Sequence, residues 1–454
     1  MKKTLRVILF AAAVMMIATG CTKKEGMAGS NAEKPTINLW SFTNELPGIV
    51  EKYQKTVNDS FNFTTTIIDT TDGSYQPALD QALQNGEVDI FGAESSFVLK
   101  YTQGDMEKYA VSYEDLGIDI NDAINTADIA EYTIDIGSNS RGQVVGLGYQ
   151  ATGGVMIYNA GIAQKLFGTD NPKKVSEAVG GGSGSWDKWL EVAKKCADMG
   201  IAVCSGDGDP WHAIEAQAEK GWIVDGKLYI DPAREAFFDM AKFFADNNLT
   251  NGTQDGQPEW FADMAEEGPK PVFCFFGPAW LLNYSMKNNV KGEFGNWRVT
   301  DSPVGFWWGG TWIIATKEAA QDEAKKEVLK DLIYWITLDP TSNGLLYQWA
   351  TGTFQWEFET GTKPESNTKD AVSSGTVMAI ANGSVDICDG QNIFDYFIPA
   401  GVYANGKNKT QYDEGINLLW RDQVRAYAAG KKSRAAAIAT FKSDVADQFG
   451  LEAY

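Results

Sequence analysis

Histidine is almost absent from this 454-residue chain, which contains only His212. A zinc site built mainly from histidines is therefore excluded, and a Ser-His-Asp triad would depend on that one residue. The five cysteines are too few and too scattered for a disulfide scaffold or for paired CxxC motifs. We expect neither a metal site nor a cofactor, and we expect His212 to be a structural residue near a site rather than a ligand of a metal.

Positive charge is scarce as well, since 39 basic residues stand against 60 acidic ones and give a net charge of −21. Binding to a nucleic acid or to an anionic membrane surface would need a basic stripe, so neither partner is expected. What the chain has in abundance is aromatic side chains, with 15 Trp, 17 Tyr and 23 Phe. Its length suits two or three domains, and 44% hydrophobic residues are enough to form a buried core.

Long hydrophobic runs are missing too, apart from a short one at the N-terminus. Lys2, Lys3 and Arg6 precede an apolar stretch over residues 7–18, which is too short for a permanent membrane span. The small residues before Cys21 resemble the bacterial lipobox. This resemblance implies a signal peptide over residues 1–20 and a lipidated Cys21, whereas the alternative is an ordinary signal peptide with a chance cysteine.

Residues 21–35 are small and polar and predict a flexible tether behind the lipid anchor. The protein is then an exported lipoprotein, anchored to the outer side of the cell membrane or in the periplasm, with a net charge of −24 after loss of three positive residues. Export permits disulfides. Cys196 and Cys204 are close in sequence and either pair or remain buried as small hydrophobic residues.

Strand and helix signals alternate at the start of the mature chain. Residues 36–41, 61–69 and 88–92 have strand character, and helical patterns cover residues 45–57 and 75–84 between them. This β-α-β-α-β order predicts a parallel sheet covered by helices. Binding residues in such sheets follow the carboxyl ends of strands. Further strands are predicted at 155–159 and 311–316, and the last third is mainly helical.

Five segments carry a resemblance that extends over nearly the whole mature chain: INLWSF, VDIFGAESSF, GYQATGGVMIYN, PVFCFFGPAWLLN, and the run from VTDSPVGFWWGGTWIIATKE into the following helix. Their order and spacing resemble the extracellular solute-binding proteins of ABC sugar importers, the family that includes maltose-binding protein. The aromatic GFWWGGTW and the GGGSGSW insertion depart from the family pattern.

The resemblance implies a fold of the α/β class, with two α/β lobes joined by crossover strands and a ligand cleft between them. The lobes are expected at 36–147 plus 303–345 and at 148–302 plus 346–454, and they close about the hinges when ligand binds. It also implies a monomer that is not an enzyme and that delivers a carbohydrate to the permease subunits of an ABC transporter.

The ligand-binding residues implied by the resemblance follow strands or lie near the crossovers. They are Trp40, Asn44, Glu45, Glu94, Ser95, Ser96, Tyr149, Asp209, Trp211, Trp280, Trp307, Trp308, Gly309, Gly310 and Trp356. Aromatic rings can cover the C–H faces of a sugar, and carboxylates and amides can bind its hydroxyls. We expect Trp211 and Trp280 to contact the ligand. For the other tryptophans core packing is an equal alternative, as is a capping or solvated role for Glu45 and Asp209.

Two other classes of function remain open. Tryptophans and carboxylates also suit an exported glycoside hydrolase, although the sequence shows neither an eightfold β/α repeat nor a distinctive local pair of acids. The same fold could bind a non-sugar solute such as a peptide, a polyamine or an iron complex. Acidic residues suit a polyamine, the tryptophans favour a ring-bearing ligand, and a single histidine disfavours iron.

Overall fold

The structure is a computed structural model that describes residues 33–70, 73–291, 295–356, 365–366 and 369–453. The predicted signal peptide, Cys21 and most of the predicted tether lie outside the described residues, and so does the side chain of Trp356.

Most of the strands are short, two to six residues each. They are β1 (Thr36–Ser41), β2 (Asn62–Ile67), β3 (Ile90–Glu94), β4 (Gly146–Gly148), β5 (Val155–Asn159), β6 (Cys204–Gly206), β7 (Ile223–Val224), β8 (Lys227–Leu228), β9 (Thr250–Thr253), β10 (Cys274–Gly277), β11 (Trp297–Thr300), β12 (Thr311–Ala315), β13 (Gln355–Trp356) and β14 (Glu365–Ser366).

The helices separate these strands and fill the C-terminal part of the chain. They are α1 (Glu45–Thr56), α2 (Tyr75–Asn85), α3 (Val98–Thr102), α4 (Ile120–Ala127), α5 (Glu131–Gly137), α6 (Ala160–Phe167), α7 (Pro172–Val179), α8 (Asp187–Asp198), α9 (Gly208–Ala216), α10 (Pro232–Asp246), α11 (Pro258–Met264), α12 (Lys287–Asn289), α13 (Glu323–Thr337), α14 (Leu345–Thr351), α15 (Gly375–Ile380), α16 (Phe394–Tyr403), α17 (Asp413–Ala428) and α18 (Arg434–Phe449).

The larger sheet has the strand order β2-β1-β3-β12-β4. Strands β2 and β3 both pair with β1 in parallel, which confirms the parallel arrangement predicted from the alternating pattern. Strand β12, although distant in sequence, runs antiparallel between β3 and β4. Helix α1 covers this sheet because its buried residues Leu46, Ile49, Val50 and Tyr53 recur at helical spacing and form one apolar face.

A second, antiparallel sheet has the order β10-β5-β11. All five residues of β5 are buried, because helices cover the sheet. Two linkers connect the sheets: residues 149–154 run from β4 to β5, and residues 301–310 run from β11 to β12.

The two linkers are hydrogen-bonded to each other. The amide of Gly154 donates to the carbonyl of Phe306 at 2.8 Å, and the amide of Trp308 donates to the carbonyl of Thr152 at 3.0 Å. Residues 371–373 join the first linker on its other side, since the amide of Ala151 donates to the carbonyl of Ala371 at 3.0 Å. The molecule thus has a three-segment junction between its two sheets.

Tryptophan is used mainly inside the protein. Among the described side chains ten of the fifteen tryptophans are buried, and only Trp40, Trp280, Trp307 and Trp308 are half-buried. The core beside the smaller sheet is the most aromatic part: Trp189 packs on Phe276, and Trp420 packs between Phe238 and Phe441. The composition therefore reflects core packing more than ligand binding.

The four cysteines of the described residues, Cys196, Cys204, Cys274 and Cys388, are buried free thiols. The predicted pairing of Cys196 with Cys204 is therefore wrong, and the alternative of buried small residues holds. Cys196 lies on the inner face of α8, where burial raises the pKa of its thiol to about 12. The thiol of Cys204 donates instead to the carbonyl of Gly206 at 3.3 Å.

In the part of the chain that the structure describes, none of the helices combines the length and the apolar character that a bilayer crossing needs.

Candidate functional site

A narrow cavity of about 70 Å³ lies where the end of β3, the second linker, helix α9 and the start of helix α17 meet. Polar and aromatic side chains alternate around it. It is lined by Ser95, Ser96, Leu99, His212, Glu215, Trp307, Trp308, Gly309, Lys409, Thr410, Asp413, Glu414 and Asn417. Five of the predicted ligand-binding residues, Ser95, Ser96, Trp307, Trp308 and Gly309, are in this set.

The first wall follows the carboxyl end of β3. The Glu94 carboxylate accepts hydrogen bonds from the hydroxyls of Ser95 and Ser96 and, at 2.9 Å, from the amide of Ser96. The amide of Ser95 donates to the carbonyl of Gly310 at 3.2 Å, which fixes this turn to the second linker. Because both hydroxyl protons are engaged by Glu94, the serine oxygens present only lone pairs to the cavity.

The aromatic wall is centred on Trp308. Its ring stacks on His212 with 4.3 Å between centroids and 21° between planes, and the edge of Trp280 meets it at 4.8 Å. The Trp280 indole N–H donates to the carbonyl of Trp308 at 3.0 Å. Trp280 therefore holds the aromatic wall in place without lining the cavity. Trp308 remains half-buried and can offer apolar surface to a ligand.

Trp307 is also held by a ring contact and by a hydrogen bond of its indole N–H, but its partners are different residues. Its ring stacks on Tyr132 at 5.8 Å, and its indole N–H donates to the carbonyl of Asn405 at 2.8 Å. The two neighbouring tryptophans thus point to different partners, as expected for adjacent residues in extended backbone.

The wall opposite the serines is charged. Glu215 binds two cations, since its carboxylate is paired with Lys409 and, at 3.1 Å, with Arg234. Burial alone would raise the pKa of Glu215, but these two cations outweigh it and lower the pKa to about 2. Burial also lowers the pKa of His212 to about 4, so its imidazole is neutral at pH 7.

Asp413 and Glu414 begin helix α17 and complete this wall. Asp413 is 6% exposed; its Oδ1 accepts from the amide of Thr410 at 3.1 Å and from its hydroxyl at 2.6 Å. Burial raises the pKa of Asp413 to about 6. Desolvation by the surrounding protein is the main cause that raises the pKa of Glu414 to about 7, and repulsion from the charge of Glu94 is the second.

Nine predicted residues lie outside the cavity lining: Glu94, Trp280 and Gly310 support it as described above, and six others lie elsewhere. Trp40 is half-buried against the aromatic core of the larger sheet, and Asn44 is exposed at the start of α1. Tyr149 is buried, and its hydroxyl donates to the Glu45 carboxylate. Glu45 and Tyr149 therefore form a contact between α1 and the first linker.

Asp209 and Trp211 are placed in the core, contrary to the ligand contact expected for them. Trp211 is 1% exposed, and its ring packs on Phe237 at 4.9 Å. Asp209 accepts from the indole N–H of Trp260 at 2.8 Å and from the amide of Gly206 at 3.0 Å. Both residues hold α9 against the core, because α9 presents them inward and His212 toward the cavity.

The residues of the charged wall were not predicted from the sequence, although they contribute half of the lining. Glu215, Lys409, Thr410, Asp413, Glu414 and Asn417 share no local motif. One sequence signal could have indicated them: Asp413 and Glu414 are adjacent acids at the start of a helix in the last third of the chain, which was predicted to be mainly helical. Among the described residues no group of His, Cys, Asp and Glu side chains is arranged to hold a metal ion.

Comparison with known proteins finds no matching family model and no matching curated protein. Solved structures do match over most of the chain. An extracellular solute-binding protein of family 1 has a TM-score of 0.72 at 15% identity and covers 90% of this chain and 98% of its own. The galacto-N-biose/lacto-N-biose I-binding protein of an ABC transporter from Bifidobacterium longum, in complex with lacto-N-biose, has a TM-score of 0.64 at 16% identity and covers 94% and 100%.

A third match is the GacH receptor of Streptomyces glaucescens, solved without ligand and with acarbose, with a TM-score of 0.61, 14% identity and coverage of 91% and 98%. These likenesses show that the chain has the fold of the extracellular solute-binding proteins. The predicted fold class, two α/β lobes of this type, is confirmed.

Proposed function

We propose that the protein binds a carbohydrate outside the cytoplasmic membrane and delivers it to an ABC permease, without acting on it as an enzyme. One observation carries the proposal: the half-buried Trp308 faces a cavity whose other walls are hydroxyls, carboxylates and an amide, at the junction of the two sheets. Sugars present apolar C–H faces and a rim of hydroxyls, and this combination matches both.

Estimates of the binding free energy indicate that the site must provide several contacts to its ligand. A micromolar complex has a binding free energy of about 8 kcal/mol. Covering roughly 100 Å² of apolar surface contributes about 2.5 kcal/mol, and a neutral hydrogen bond contributes about 1 kcal/mol. One tryptophan ring and five or six hydrogen bonds from the lining reach this range before the cost of association, so the ligand needs further aromatic contact from Trp307.

We also propose the domain organisation and the localisation. For the two lobes predicted at residues 36–147 plus 303–345 and at residues 148–302 plus 346–454, the first two boundaries lie close to the linkers, and we propose to keep them. The third boundary at 345/346 falls at the start of α14, so we propose that the chain passes between lobes at 371–373 instead. Residues 1–20 serve as signal peptide, Cys21 as lipid anchor and residues 21–35 as tether, and the exported protein acts as a monomer.

The test is a thermal-shift screen against a glycan panel, followed by calorimetry on the best ligand, because a ligand that binds only the native state raises the melting temperature. We expect Trp308→Ala to weaken binding at least tenfold, about 1.4 kcal/mol. Trp40→Ala is the matched control, since Trp40 is half-buried but outside the cavity. The proposal fails if no glycan shifts the melting temperature, if Trp308→Ala binds normally, or if the protein cleaves the glycan.

A further inference from the structure

The hydrogen-bonding groups around the cavity are mostly acceptors. The hydroxyls of Ser95 and Ser96 both donate to the Glu94 carboxylate, so toward a ligand they can only accept hydrogen bonds. Glu215, Asp413 and Glu414 contribute carboxyl groups, and an ionised carboxylate has acceptors but no donor. A ligand that fits such a wall must bring donors of its own.

The cations that line or flank the cavity are already engaged. Lys409 and Arg234 both bind Glu215, and Arg421 binds Asp255. Glu215 carries one negative charge against its two cations, so with Asp413 and Glu414 both ionised the wall still has one negative charge in excess. The amide oxygen of Asn417 accepts from the indole N–H of Trp222 at 2.7 Å, which leaves its amino group as one of few donors near the cavity.

Two carboxyl groups in the lining, those of Asp413 and Glu414, form no ion pair among the described residues. Asp413 is 94% buried, and its Oδ2 atom has no hydrogen-bond partner among the described residues. Glu414 is exposed to solvent and forms neither a hydrogen bond nor an ion pair within the described part of the chain, so the cost of an unpaired buried acceptor falls on Asp413. Leaving an acceptor of this kind buried and unpaired is costly unless something outside the chain satisfies it.

From this we infer that the ligand is an amino sugar, which places its ammonium group against Asp413 and Glu414 while its ring lies toward Trp308. This inference rests on the proposed carbohydrate function and specifies its substrate class. An ammonium group supplies three donors and one positive charge, which is what the two carboxylates lack. A neutral sugar hydroxyl supplies one donor and no charge.

The size of the cavity agrees with a single small group at this position. About 70 Å³ has room for a few water molecules, since one water needs at least about 10–15 Å³ of such a cavity. The amino group fits there as the walls stand, whereas the ring requires the cavity to widen on the side of the tryptophans. The charged wall therefore recognises the substituent, and the aromatic wall recognises the ring.

Calorimetry at pH 7 with matched sugars tests the inference. The pairs are glucosamine with glucose, galactosamine with galactose, mannosamine with mannose, and β-1,4-linked glucosamine disaccharide with cellobiose and with its di-N-acetyl form. We expect at least one amine to bind at least tenfold more tightly than its neutral and acetylated counterparts. Glu414→Gln should remove most of that preference, which is measured as the ratio of amine affinity to neutral-sugar affinity within each variant.

Glu414→Gln is suited to this test because the side chain has no partner whose loss would unfold the protein. Glu191→Gln, on the exposed face of α8, is the matched control and should keep the preference. If no amine binds more tightly than its neutral parent, or if Glu414→Gln keeps the preference, the amino-sugar inference is overturned while carbohydrate binding can stand. If spermidine binds and every sugar fails, both proposals are overturned.

Discussion

Single side chains at the cavity show how charge is divided between structure and ligand. Glu215 is paired with two cations, whereas Asp413 and Glu414, in the same wall, form no ion pair in the part of the chain that the structure describes. Removing Glu215 would leave Lys409 and Arg234 buried without a counter-ion, and this type of loss costs more than an exposed ion pair contributes. Glu215 therefore has a mainly structural role.

We predict that Glu215→Gln lowers the free energy of unfolding by about 3 kcal/mol at pH 7, measured by urea denaturation. The folded state depresses the pKa of Glu215 to about 2, below its unfolded value near 4.5. Its stabilisation is complete above pH 5 and is lost as the pH falls toward 2. The difference between wild type and variant should shrink over that window, and a difference that stays constant from pH 7 to pH 2 would contradict the ion-pair explanation.

Single residues of the site were predicted from the sequence less well than the strands were. Ser95, Ser96 and Trp308 could be predicted because they follow strands or lie on a crossover, positions set by local sequence. Trp211 was predicted wrongly, because nothing local distinguishes a tryptophan that faces a cavity from one that packs on Phe237. Asp413 and Glu414 lie more than 300 residues after Ser95, and only the tertiary fold brings them to one cavity.

At the scale of elements, the two linkers carry both the junction and the aromatic wall. One strand in each of the two sheets was predicted closely, since residues 36–41 and 155–159 are strands with those bounds. Local alternation of apolar residues was sufficient for this. The position of β12 between β3 and β4 depends on pairing over more than 200 residues with β3 and more than 160 with β4, and sequence periodicity carries no information about such pairing.

The first linker approaches the second so closely that Gly154 has no room for a side chain. A Cβ atom there would lie 2.0 Å from the ring of Phe306, which is buried two positions before Trp308. We predict that Gly154→Ala destabilises the protein by about 2 kcal/mol, by overpacking, and weakens ligand binding by displacing the second linker. Denaturation and calorimetry on the same variant measure the two effects.

Gly161→Ala is the control for that variant. Gly161 lies in α6, where a Cβ atom would meet its nearest neighbour, the Asn159 side chain, at an ordinary 3.4 Å. Alanine is the better helix former, so this change should stabilise the protein slightly and leave binding unaltered. Equal behaviour of the two variants would show that the linkers are not tightly coupled.

At the scale of the whole molecule, the cavity and the proposed ligand differ in size. Pockets that enclose small molecules usually measure about 300–1,000 Å³, several times the 70 Å³ between the present walls. The walls come from elements on both sides of the three-segment junction, so the cavity widens only if those elements separate. Linkers of a few residues between rigid sheets are suited to such hinge motion.

We therefore predict that the ligand-free protein samples a more open form in solution and that saturating sugar makes it compact. Small-angle X-ray scattering should show the radius of gyration falling on sugar addition toward about 22 Å, the value for a compact chain of this length. Trp308→Ala at the same sugar concentration should show no such decrease, because its site is not filled. A radius that is unchanged when calorimetry shows the wild-type site to be saturated would mean that the ligand enters without hinge motion, and the junction would then be a rigid support rather than a hinge.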